Sequence, residues 1–237
     1  MAKKKVALPA KTLLVCFPHV DDETGVVGTM AKHAQRGDRV VLVFATYGEM
    51  TSLFGDMPQA QIRAEREQHA RRLAAIVGCE VRFLEFADAH IGTSREEALS
   101  LAALLTEVRP DALLTYNNVR GHPDHRHLSE LLRDAITYAR LPRLTAPAEP
   151  HRERVSFYAL FDAASPHPPV HVDVSDHIEQ IKAVMEIYAE AYKWSVAGIE
   201  RARTAHGAEC GVKYAEKFNV LAGPVAAEQY LIRNAAT

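Results

Sequence analysis

The 237-residue chain reads as an α/β protein, a Rossmann-like and mostly parallel sheet with helices on both faces, in a single domain. Three observations predict this. Residues 13–17 (LLVCF) and 40–45 (VVLVFA) are short continuous apolar runs, as strands buried on both faces require. Helix-patterned segments alternate with such runs, the order from which parallel sheets take their crossovers. A hydrophobic content of 48% is ample for a buried core at this length.

The elements follow in order. After the strand at 13–17, residues 24–36 place Val27, Met30, Ala31 and Ala34 at helical spacing, and Gly37 supplies the stop. Residues 40–45 are the second strand, and 46–58, with Gly48, Gly55 and Pro58, form a loop. Residues 59–77, rich in Ala, Arg and Glu, read as a long helix closed by Gly78. A third strand at 81–86, a helix at 95–108, a fourth strand at 111–116 (DALLTY) and a helix from about 125 to 140 come next. Residues 141–154 (LPRLTAPAEPHRER) read as a mobile connection within one domain, because strand-like 155–161 follows at once. SPHPPVHVDVSD then leads into a helix from about 176 to 194, and 229–232 reads as a closing strand. Residues 1–10 read as a flexible N-terminus, and the domain spans 1–237.

Composition excludes several classes. Lys+Arg of 28 against Asp+Glu of 30 leaves a net charge of −2, so no overall field favours nucleic acid or an anionic membrane. The basic MAKKK start is followed by Pro9 and Lys11, which fit neither a secretory signal nor an anchor. No apolar run reaches the roughly 20 residues that span a bilayer. Cys16, Cys79 and Cys210, odd in number and widely spaced, fit reduced thiols in a cytoplasm.

In a doubly wound sheet the reactive groups belong beyond the carboxyl ends of strands, and two motifs fall there. PHVDDE (18–23) follows the first strand and GHPDH (121–125) follows the fourth. Three adjacent carboxylates with no basic neighbour resist burial unless a cation or solvent compensates. Imidazole with carboxylate suits zinc or another divalent transition ion. His19 and Asp22 offer two ligands from one turn and His125 a third from the other, which leaves a position open for water. Asp21 is then placed to accept that water's proton, and His122 to donate to an oxyanion. The plainer reading makes His19 a helix cap, and Asp22 and Glu23 first-turn acids facing the helix dipole. It explains one acid better than three.

PHVDDE followed by VVGTMAKHAQRGDRVVLVFATYGE and then by GHPDHRHLSE resembles the LmbE and PIG-L type of zinc-dependent N-deacetylase, over residues 13–139 and more weakly through HVDVSD. The resemblance implies zinc on His19, Asp22 and His125, Asp21 as general base, and His122 steadying the tetrahedral intermediate or protonating the amine. It implies that Asp124 holds His122 in its useful tautomer, and that Arg63, with Arg66 as the alternative register, and Asp88 bind sugar hydroxyls. The expected substrate is an N-acetylglucosamine-type small molecule, and the assembly a homotrimer or homohexamer. The usual proline of the first motif is Val20 here. A His-Ser-Gln segment of many relatives is missing near Ile187, Tyr188 and Ala189, which leaves the substrate's identity open.

Other readings keep part of this pattern. An amidase of a sugar-thiol conjugate keeps the metal and changes the bond, and a sugar-binding protein keeps the cleft without turnover. A receiver-like signalling module explains the paired aspartates but neither His19 nor GHPDH. His33, His69 and His177 read as non-ligating helix residues, and His127 as facing away from His125. Asp173 reads as a loop support, and Tyr192 and Trp194 as core in preference to the lining of a sugar site.

Overall fold

The computed structural model describes residues 10–119, 121–223 and 230–232. Four units begin the chain: β1 (Thr12–Phe17), α1 (Val27–Arg36), β2 (Arg39–Phe44) and α2 (Gln59–Val77). β3 (Glu80–Phe83), α3 (Arg95–Val108), β4 (Ala112–Thr115), α4 (Pro123–Tyr138), α5 (Pro142–Thr145) and β5 (Ser156–Leu160) follow. The last third holds β6 (Pro169–Asp173), α6 (Ile178–Tyr192), α7 (Val196–Cys210) and β7 (Ala215–Ala222). They build a seven-stranded sheet in the order β3-β2-β1-β4-β5-β7-β6. The first five strands pair in parallel, and β7 runs antiparallel between β5 and β6.

The alternation of side chains along each strand explains why both faces are covered. Leu13, Val15, Phe17, Val40, Leu42 and Phe44 join one apolar cluster with residues of α1, α2 and α6. Leu14, Cys16, Val41 and Val43 join another with residues of α3 and α4. The continuous apolar runs are thus two interleaved core faces, and the fold is the mostly parallel α/β sheet that the sequence predicts. Among the described residues, no helix is long and apolar enough to cross a membrane.

Several boundaries differ from the sequence reading. The helix predicted to reach 194 stops at Tyr192, where Lys193 turns into the left-handed region (φ 61°). α7 then starts with the Ser195 hydroxyl accepting the Gly198 N–H at 3.2 Å. It has no clear apolar stripe, with only Arg203 and Gly207 buried, so periodicity had nothing to detect. β6 and β7 were likewise not foreseen. The segment 141–154 is anchored rather than mobile: it contains α5, and the buried His151 ring bonds the Pro110 carbonyl through Nε2 at 2.9 Å. Of the predicted strand 229–232, Gln229 lies outside the described residues, as do 1–9 of the N-terminus, and 230–232 form bends.

The C-terminal strands also brace the first motif. α1 has no side-chain cap of its own. Buried Glu216 of β7 accepts the Gly28 and Thr29 N–H groups at 3.0 and 2.8 Å, placing an anion at the positive end of the helix. Arg203 bonds the Thr24 carbonyl at 2.7 Å and ties α7 to the same turn.

Candidate active site

Strand order reverses between β1 and β4, so the loops leaving their carboxyl ends diverge and open a crevice. PHVDDE leaves β1 and GHPDH leaves β4, and the two strands are direct neighbours. A cavity of about 380 Å³ opens there, lined among others by His19, Asp21, Asp22, Asp88, His122 and His125. The sheet therefore brings together six of the residues singled out in the sequence.

Asp22 lies in a short 3-10 turn ahead of α1. Its two carboxylate oxygens separate two imidazoles, with Oδ2 at 3.2 Å from His19 Nδ1 and Oδ1 at 3.3 Å from His125 Nε2. His125 projects from the first turn of α4 and stacks on Tyr116, with ring centroids 3.8 Å apart. One donor atom from each of His19, Asp22 and His125 falls within 4.8 Å of the others. The opposite edge of His19 meets two more acids, Asp88 and Asp124, each 3.2 Å from Nε2. Burial opposes charge on His19, but hydrogen bonds to Asp124, Asp22 and Asp88 outweigh it and push the imidazole up to about 11. Asp22 is driven the other way: burial would raise it, yet hydrogen bonds from His125 and His19 hold it below the usual carboxylate range. The acids around this imidazole select positive charge at that point. The His₂Asp donor set fits a divalent transition ion.

Asp21 stands beside this cluster without joining it. Burial raises its carboxyl above the usual range, and the Arg66 guanidinium opposes that rise. Arg66 itself is buried and donates from Nη2 to Asp21 Oδ2 at 3.1 Å and from Nη1 to the Val20 carbonyl at 2.7 Å. Gly48 admits this guanidinium: a Cβ there would sit 2.2 Å from Arg66 Nη1. Val20, in place of the usual proline, is fully buried, so core packing and Arg66 hold the turn.

His122 is exposed at the mouth and caps α4, its Nδ1 accepting the Asp124 N–H at 3.3 Å. That bond assigns the proton of the neutral ring to Nε2, the donor that an oxyanion needs. The tautomer is thus set by the Asp124 backbone and not by its carboxylate as expected. Asp124 Oδ2 instead accepts the Ala89 N–H at 2.9 Å and meets His19. The carboxylate therefore orients His19, one of the residues that could hold a metal ion.

The arginine register is also corrected. Arg63 points away, with Nη2 2.7 Å from Glu85 and the guanidinium 4.2 Å over the Tyr47 ring, and it does not line the cavity. Arg66, three residues on, does. A helical period tells which residues share a face but not which face meets the cleft. Arg66→Ala is expected to lower kcat/KM by about 10- to 100-fold, the worth of hydrogen bonds to a charged group. Arg63→Ala should stay within a few-fold in the same assay, and the reverse order would return the role to Arg63.

Asp88 lines the cavity, its Oδ2 taking the Met50 N–H at 2.6 Å. Trp194, read as core, instead lines the mouth with 36% of its surface exposed, beside Met50 and Leu53. Tyr192 is core. His33, His69 and His177 are buried away from the site, and His127 turns to the Ile91 carbonyl at 2.6 Å. Asp173 supports its loop through the Ser175 N–H at 2.9 Å.

The family model described as PIG-L: GlcNAc-PI de-N-acetylase matches residues 14–136. A diacetylchitobiose deacetylase of Thermococcus kodakarensis is 31% identical over 186 residues, covering 73% of this chain and 68% of its own. A 4-oxalmesaconate hydratase of Pseudomonas putida is 26% identical over 177 residues, covering 71% of this chain and 66% of its own. Among solved structures, a conserved protein of Thermus thermophilus superposes with a TM-score of 0.78 at 30% identity, covering 91% of this chain and 96% of that one.

Proposed function

Because the chain belongs to the PIG-L de-N-acetylase family, we propose that it is a metal-dependent hydrolase that removes the acetyl group from an N-acetylglucosamine-type small molecule. The observation that carries this reading is the convergence of His19, Asp22 and His125 beside a separate, half-buried carboxylate, Asp21. These three residues would hold the ion, zinc being the best match to the donor set. When bound, the ion supplies Lewis acidity, polarising a carbonyl and water.

The chain's own groups do the rest. Asp21, raised above the ordinary carboxylate range by burial, is basic enough to take a proton from the attacking water. His122 presents Nε2–H to the oxygen on which charge develops as the carbonyl becomes tetrahedral. The C–N bond then breaks, and the proton that Asp21 accepted passes to the departing nitrogen, giving acetate and a free amine. Asp88, although bonded to His19 and the Met50 N–H, keeps lone pairs for a sugar hydroxyl. Trp194, Met50 and Leu53 receive the less polar face of the substrate beyond the acetamide.

The hydratase relative shows that family membership alone leaves the bond open. Acetate release from a panel of N-acetylglucosamine conjugates, with and without chelator, tests the reading. Chelator-sensitive acetate release is expected. Its absence across the panel, or turnover untouched by chelator, would refute it.

A further inference from the structure

Asp21 sits at φ 107°, ψ −18°, a backbone region that a residue with a Cβ avoids. Such strain persists only where the surroundings over-determine it. Here one peptide unit is gripped at both ends. The Val20 carbonyl accepts Arg66 Nη1 at 2.7 Å, and the Asp21 N–H donates to Glu23 Oε2 at 2.9 Å. Glu23 is itself fully buried, and its other oxygen, Oε1, accepts the Tyr188 hydroxyl at 2.5 Å. Tyr188 lies in α6, fully buried, and is 165 residues along the chain from Glu23. No cation pairs with Glu23 among the described residues, so a buried carboxyl is held there by one phenol and by backbone N–H groups.

We propose that Glu23 and Tyr188 are positioning residues for the general base: Tyr188 fixes the Glu23 carboxyl, and Glu23 fixes the Val20–Asp21 peptide from the side opposite Arg66. The left-handed turn makes the side chains of neighbours 21 and 22 diverge. Asp22 faces His19 and His125, and Asp21 faces Arg66 and the cavity. Without the grip the peptide can rotate towards an ordinary conformation, and the base leaves its line of attack while the metal ligands stay. The inference rests on the proposed role of Asp21, and it assigns to α6 a part in catalysis although Tyr188 does not line the cavity.

The test compares Tyr188→Phe, Glu23→Ala and Glu23→Gln with wild type for kcat, KM, metal content and melting temperature. Tyr188→Phe removes one oxygen and Glu23→Gln changes no volume, so either tests the idea if the other fails to fold. Tyr188→Phe should lower kcat by about 3- to 10-fold, the scale of a single buried hydrogen bond, with KM within two-fold and full metal content. Glu23→Gln should recover much of what Glu23→Ala loses, since the amide oxygen can still accept the Asp21 N–H while its NH₂ faces the Tyr188 oxygen. Wild-type kcat in Tyr188→Phe and Glu23→Ala, with only the melting temperature lowered, would make the pair purely structural and overturn the proposal. So would a Glu23→Gln as damaged as Glu23→Ala, because charge and not geometry would then matter. Asp21→Asn separates the two levels: if it turns over normally, the role of Asp21 itself fails, and if it is inactive while Tyr188→Phe is not, only the positioning fails.

Discussion

Asp21→Asn is expected to give a folded protein with full metal content whose turnover is lower by about 10²- to 10⁴-fold, the usual share of a general base. The substitution is isosteric, and an amide oxygen can still accept from Arg66, so the contact at 3.1 Å survives. The residues that fit a metal ion do not include Asp21, so occupancy should not change. What disappears is a basic site beside the attacking water. Acetate release and metal content measured on the same preparation check this. Full turnover in the asparagine variant would show that another group accepts the proton.

His125→Ala should lose metal and activity together. It offers one of three donor atoms that lie within 4.8 Å of one another, and it shares the Asp22 carboxylate with His19. Two remaining donors hold a divalent ion poorly, and buried Asp22 loses one of its two imidazole partners. Turnover should fall to the level of the chelated wild type, a loss of roughly 10³-fold or more for several kcal/mol of Lewis-acid stabilisation. Elemental analysis after dialysis, beside the rate, provides the measurement. A His125→Ala protein that keeps stoichiometric metal would remove His125 from the ligand set. Asp21 and His125 therefore predict opposite outcomes for metal and the same outcome for rate.

The order of strands and helices up to about residue 140 could be read because each element declares itself locally. An apolar run such as LLVCF has to be buried, and Gly37 and Gly78 stop helices wherever those helices pack. The last third was less legible. α7 lacks a clear apolar stripe, and β6, PVHVD, opens on a proline that counts against its alternating pattern. Both depend on β7 for their place, a contact that no local pattern announces.

By itself the sequence determined the chemical inventory: a histidine and three acids after one buried strand, two histidines after another, and too little net charge to favour a polyanionic partner. These are properties of residue type and short spacing. Only the tertiary structure decided which groups meet. It set β1 beside β4, turned Arg66 rather than Arg63 into the cleft, gave the Asp124 carboxylate to His19 rather than His122, and brought Trp194 to the mouth and Tyr188 beneath Glu23. The reason is physical. Local sequence dictates which face of a helix is apolar and where a chain can turn, but hydrogen bonds across 35 to 165 residues of separation depend on how the faces dock, which the whole core decides.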